Sequence, residues 1–404
     1  MPALARTRRL SPELRTRETV MPLELFFDLV FVLGFTQCTA LMVHDPSWEG
    51  LAQGVLVLAV LWWAWVGYSW LTSVVEPEEG AVRIAMFGAM AALLVVALCV
   101  PEAFGDRALA FALAYGVVRG GQIVLFILAS RDDPELRKSV LGLAISSSIG
   151  VGLLIGASAL DGLAQGGLWA LAIALDMGGP LLIPPAGWRL VPAHFAERHN
   201  LVIILALGES IVALGVGAEV GITAGVIAAA VVGVGLASAL WWTYFDIVAL
   251  VTQARLLRAT EGYDRNVLAR DSYSYFHFPM VAGIVLAALG LEQTLAHVDE
   301  HLKTVPAFAL LGGVAIYLLG HVALRLRNAG TLNVQRLVLA GVLLALWPLA
   351  PEVSALVTVT IVNVLLWSLI AYETPKYGDN RYRIRHGLEV EVPSRAATPG
   401  TSEA

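Results

Sequence analysis

Residues 22–44, PLELFFDLVFVLGFTQCTALMVH, form a run of 23 residues whose only acids or bases besides the final histidine are Glu24 and Asp28. About 20 mostly apolar residues cross a bilayer as a helix, so the run reads as a membrane span. It is longer than the apolar part of a cleavable signal and holds two acids, so no signal peptide is expected. Broken at Pro, Gly and charge clusters, the chain yields eleven more such runs, at 50–74, 82–103, 107–130, 139–160, 165–187, 200–218, 222–251, 273–298, 304–325, 332–349 and 352–373. Composition agrees. Of 404 residues 58% are apolar and 14% charged, against roughly 25% charged in a soluble domain, and mean hydropathy is +0.74. A soluble chain of this size cannot hide that much apolar surface. Two cysteines exclude a disulfide scaffold, and a net charge of −6 offers no basic field for nucleic acid. The expected fold is an all-α polytopic membrane protein of about twelve transmembrane helices, with the lipid bilayer as its first partner.

Charge sets the expected orientation. With a cytoplasmic N-terminus, 23 of the 26 lysines and arginines fall on inner segments, as the positive-inside bias requires. Arg107 and Lys303 fall outside and Arg119 lies within a span. Both termini are therefore expected in the cytoplasm, on the inner side of the membrane, with 1–20 as an arm and 376–404 as a disordered tail.

The chain also reads as two parallel six-helix halves, 21–190 and 191–375. Leu61-Trp62-Trp63-Ala64-Trp65 recurs as Leu240-Trp241-Trp242-Thr243-Tyr244, Tyr115 and Arg119 recur as Tyr317 and His321, and Asp176 is matched by Asn363. Parallel repeats in transporters place a site at their interface.

Ionisable groups inside spans are costly and mark sites by default. Arg119, Asp176 and Glu209 fall near span centres, and one cation with two acids invites pairing; the competing reading is an ion network that fixes helix register. Asp176 precedes Gly178-Gly179-Pro180 and Pro184-Pro185, so the sixth span is expected to kink or unwind beside the acid. Toward the cytoplasm, Glu24 and Asp28 share one helix face, joined by Glu197, Asp246, His277 and His321. The candidate substrate- or ion-binding residues are thus Glu24, Asp28, Arg119, Asp176, Glu197, Glu209, Asp246, His277 and His321, with Asp28, Glu209 and Asp176 as candidate catalytic acids. No metal-ligand spacing, Walker A loop or dinucleotide turn is present, so neither metal nor cofactor is expected.

Three runs, ELFFDLVFV (24–32), ERHNLVIILALGES (197–210) and LWWTYFD (240–246), resemble the bacterial low temperature requirement protein A family. The resemblance spans about residues 18–375 and implies a multi-spanning bacterial membrane protein. Carried over on these motifs are Glu24, Phe27, Asp28, Glu197, Gly208, Glu209, Ser210, Trp241 and Asp246. A second, fainter similarity is to lysosomal and bacterial potassium or proton channels, whose Phe-Ser-Asp corresponds to Phe26-Phe27-Asp28, with Arg17 upstream.

Two functions compete. One is a transporter or channel moving a small solute, a cation or protons through an acidic cavity between the halves, with Asp28 and Glu209 facing each other. The other is an intramembrane enzyme whose acids protonate a lipid or isoprenoid. A homo-oligomer is compatible with either.

Overall fold

The computed structural model describes Arg15 and residues 18–78, 80–183 and 187–386. Expectations for Arg17, 184–185 and the tail beyond 386 lie outside the described residues. The described residues are predominantly helical. The first half holds α1 (Pro22–His44), α2 (Trp48–Val74), α3 (Gly80–Cys99), α4 (Ala108–Ala129), α5 (Pro134–Ala157) and α6 (Gly162–Leu182). Then follow α7 (Pro192–Gly217), α8 (Ala224–Phe245), the short α9 (Val248–Arg258) and α10 (Tyr263–Ala269), and a π-helical turn over Arg270–Tyr275. The last helices are α11 (His277–Ala296), α12 (Thr304–Ala329), α13 (Val334–Leu346), α14 (Ala355–Lys376) and α15 (Gly378–Arg385). Among the described residues there is no strand beyond a single bridge, His301 to Ser354.

Eleven stretches are long and apolar enough to cross a membrane. The twelfth long helix, α6, falls outside that set; Gln165, Asp176 and Pro180 lie within it. This is an all-α integral membrane protein.

Burial separates centre from rim. In the spans containing α2, α11 and α12, 78% of the most apolar stretch is buried within the protein, against 28% in those of α5 and α13. Lipid tails are as apolar as leucine, so close packing rather than water exclusion must hold the centre. Glycines supply it. A Cβ on Gly283 of α11 would meet the Gly313 carbonyl oxygen at 2.5 Å, and one on Gly313 of α12 would meet that of Gly283 at 2.7 Å.

Counting long helices only, packing partners recur six helices apart. α1 packs on α3, α2 on α6 and α3 on α4, as α7 packs on α11, α8 on α14 and α11 on α12. The environments differ. Trp62 is fully buried, whereas Trp241, its sequence counterpart, is 45% exposed. The tail departs from expectation too. Residues 378–385 form α15, whose Arg381 pairs with Asp246, because a buried-side carboxylate at the end of α8 gives that segment an anchor.

Candidate functional site

A cluster of buried charge lies at the seam between α1 and α7. Pro22 starts α1, where its missing N–H costs nothing, and Glu24 at the third position accepts from the Met21 N–H at 2.8 Å. Asp28, one turn on, shares its face. Pro192 starts α7 likewise, so His194 and Arg198 share a face four residues apart. Glu24 receives Arg15 Nη1 at 3.1 Å, His194 Nε2 at 2.9 Å and Arg198 Nη1 at 3.1 Å. Asp28 Oδ1 accepts from Arg198 Nη2 at 2.7 Å and Trp65 Nε1 at 2.9 Å. Two carboxylates and two guanidiniums cancel, which offsets the cost of burying each. Asp28 Oδ2 has no hydrogen-bond partner among the described residues. Glu197 accepts from the Val20 N–H at 3.0 Å, and further along the seam Thr36 Oγ1 donates to Glu209 at 2.6 Å.

A second centre lies within the first half. Arg119 Nη2 donates to Asp176 Oδ1 at 2.8 Å and to Ser147, whose hydroxyl donates to the same carboxylate oxygen at 2.8 Å. Arg119 Nη1 donates to Gln122 Oε1 at 2.7 Å. The helix does not break beside Asp176; α6 continues through Pro180 to Leu182. What Pro180 removes is the amide that would bond the Asp176 carbonyl one turn back. Later carbonyls of α6 find partners in the other half of the chain. Arg270 Nη1 donates to the Pro180 carbonyl at 2.8 Å, and the Tyr275 hydroxyl donates to that of Met177. The π turn thus caps α6, and such turns are frequent at functional sites. Between α2, α4, α5, α6 and this turn lies a cavity with about 630 Å³ of empty space, counting its open side. Trp63, Trp70, Trp188, Arg119, Gln122 and Arg270 line it, with no acid among the described lining residues.

The family described as bacterial low temperature requirement A protein (LtrA) matches residues 19–371. That interval contains both sides of the seam and the cavity. The chain belongs to the LtrA family. It is also similar to an uncharacterized protein of Rhizobium meliloti (strain 1021), 28% identical over 367 residues that cover 86% of this chain and 88% of the relative. No solved structure matches.

Within this LtrA-family chain, the residues singled out by sequence divide among several places. Glu24, Asp28 and Glu197 meet at the seam, and Arg119 meets Asp176. Glu209 joins neither pair; among the described residues it makes no ion pair with Arg119, because α7 turns it toward Thr36 on α1. Asp246 pairs with Arg381. His277 Nδ1 lies 2.8 Å from the Ser272 carbonyl, which only accepts, so this nitrogen carries a proton. Its Nε2 meets the Tyr244 hydroxyl at 2.8 Å. His321 Nδ1 accepts from Arg336 Nη1 at 2.7 Å, and Arg336 in turn pairs with Glu373 at 2.7 Å. Asn363, aligned with Asp176 by sequence, sits against Gly235 instead. Among the described residues no group of three or more His, Cys, Asp or Glu is placed to share a metal ion.

Sequence reasoning passed over Gln122, Ser147, Arg270, Arg336 and Glu373. Gln122 had a signal, a lone amide three residues after Arg119 on the same helix face. Arg270 and Arg336 read as inner-loop charges, and only the packing turns them inward.

Proposed function

We propose that this LtrA-family protein is a transporter for a small solute, with the tryptophan- and arginine-lined cavity as its substrate chamber. The observation that carries the reading is that both halves of the chain line the chamber: α2, α4, α5 and α6 from one, Arg270 and Ser274 of the π turn from the other. Transporters with repeated halves bind substrate at the repeat interface, beside interrupted helices. The halves are 21–190 and 191–375, and the recurring helix pairings support their descent from one six-helix unit. The inner-segment arginines support two cytoplasmic termini at a bacterial inner membrane. In this reading the α1–α7 ion network joins the first helices of the two halves and is the contact that must rearrange when they rock. Reconstituted protein should move solute across vesicle membranes, and Leu143→Trp, which fills the chamber, should stop it without loss of folded yield. Full flux in that variant would refute the chamber.

A second reading has its own observation. Pro22, Leu25, Phe26, Leu29, Leu201, Ile204 and Leu205 line an apolar groove between α1 and α7 with Asp28 among its walls. An intramembrane enzyme would present a buried acid to an isoprenoid or acyl chain in this way. Asp28→Asn should then abolish product formation, whereas Leu143→Trp should leave it intact.

A further inference from the structure

The polar atoms of the chamber are unevenly satisfied. Three buried side-chain nitrogens of its lining have no hydrogen-bond partner among the described residues: Trp63 Nε1, Arg119 Nε and Gln122 Nε2. The orientation of the Gln122 amide follows from Arg119. A guanidinium only donates, so the atom 2.7 Å from Arg119 Nη1 must be the Gln122 oxygen, and the NH₂ is left over. An indole N–H and a guanidinium N–H likewise only donate. Among the described lining residues every buried unsatisfied group is therefore a donor, and each is at least nine-tenths buried. Buried donors without acceptors cost free energy, so the chamber is built to receive acceptors.

Charge narrows the class. Asp176 neutralises Arg119. Arg270, the second guanidinium of the lining, shares Asp271 at 2.8 Å with Arg327 at 3.0 Å, so these three groups carry one positive charge in excess. One surplus charge suits a monoanion. A carboxylate offers about four lone-pair sites on two oxygens, enough for three donors. The remaining walls, Trp70, Trp188, Phe126 and Leu143, are apolar and largely aromatic. We propose that the chamber binds an organic monocarboxylate, its head on Trp63, Arg119 and Gln122 and its apolar body against the wall formed by Trp70, Trp188 and Leu143. This rests on the reading of the cavity as a substrate chamber and names the substrate class.

Benzoate is the probe, titrated calorimetrically into purified full-length protein in detergent, beside its neutral isostere benzamide and inorganic phosphate. Benzoate should bind at least about tenfold more tightly than benzamide, the scale of a charge-assisted hydrogen bond. Trp63→Phe keeps a ring and removes the N–H, and should weaken benzoate about tenfold. A methyl group on Gly67 would sit 2.2 Å from Gln122 Nε2, so Gly67→Ala should displace the amide and cost a similar factor. If Gly67→Ala does not fold, Trp63→Phe carries the comparison. Equal binding of benzamide, preference for phosphate, no binding of benzoate, or unchanged binding in Trp63→Phe would each overturn the proposal. The measurement needs no flux. Benzoate binding by a protein that moves no solute would remove the transport reading and keep the site, and solute flux without benzoate binding would do the opposite.

Discussion

Replacing Arg119 and Asp176 with apolar residues, singly and together, isolates the buried ion pair beside the cavity. Both side chains are buried, with 1% and 6% of their side-chain surface exposed, and they meet at 2.8 Å. Breaking such a pair from one side costs about 3–5 kcal/mol, whereas removing both partners is often close to neutral. The two single changes should differ. In Arg119→Met the stranded Asp176 keeps the Ser147 hydroxyl at 2.8 Å and Tyr115 at 3.5 Å, so the loss should sit near the lower end, about 3 kcal/mol. In Asp176→Leu the guanidinium cannot shed its charge, and the loss should approach about 5 kcal/mol. The double variant should be more stable than either single, with a coupling of at least about 3 kcal/mol, the upper end for interacting neighbours. Pairing Arg119→Met with Glu209→Gln is the control, since those residues belong to separate contacts; their effects should add to within about 0.5 kcal/mol. Reversible unfolding in SDS–detergent mixtures, followed by far-ultraviolet circular dichroism, reads all of these. Additive losses for Arg119 and Asp176, or coupling between Arg119 and Glu209, would refute the reasoning.

Glu209→Gln alone retains an acceptor for Thr36 and should change stability by less than about 1 kcal/mol; a larger loss in the same unfolding assay would mean that its charge is structural. Arg198→Met leaves Asp28 with Trp65 as its remaining bonded donor and takes one cation from Glu24, so folded yield should drop more than for Asp28→Asn, which keeps acceptors for both neighbours. Gly283→Ala should destabilise by about 1–3 kcal/mol through overpacking, because the added methyl would meet the backbone of α12; an unfolding midpoint equal to wild type would show that α11 and α12 can part freely. For topology, Gly162 and Gly262 have φ of +58° and +97°, so cysteines belong at their neighbours. Those at Pro46 and Asp161 should react with an impermeant outside reagent and those at Asp132 and Glu261 should not, and the opposite pattern would overturn the inward placement of the arginines.

The class of the fold and the approximate places of the spans were determined by the sequence alone, because bilayer thickness demands uninterrupted apolar runs and each run carries its own signal; the helix expected at 200–218 starts at Pro192. The expected span at 22–44 and the helix Pro22–His44 coincide, and most others agree within a few residues. The acids Glu24 and Asp28 were legible for the same reason, since a charge in an apolar run is costly wherever it later sits. Partners were not. Whether Glu209 faces Arg119 or Thr36 depends on the rotation of α7 against α1, and an all-round apolar helix leaves that angle undetermined by periodicity. Arg270 looks like a loop charge until a π turn aims it at the end of α6, and Glu373 looks like the close of a span until α13 brings Arg336 beside it. The three unsatisfied donors come from helices α2 and α4, and only tertiary packing brings their residues to the lining of one cavity. Hydropathy is a sum along the chain, whereas a binding site is a coincidence across it.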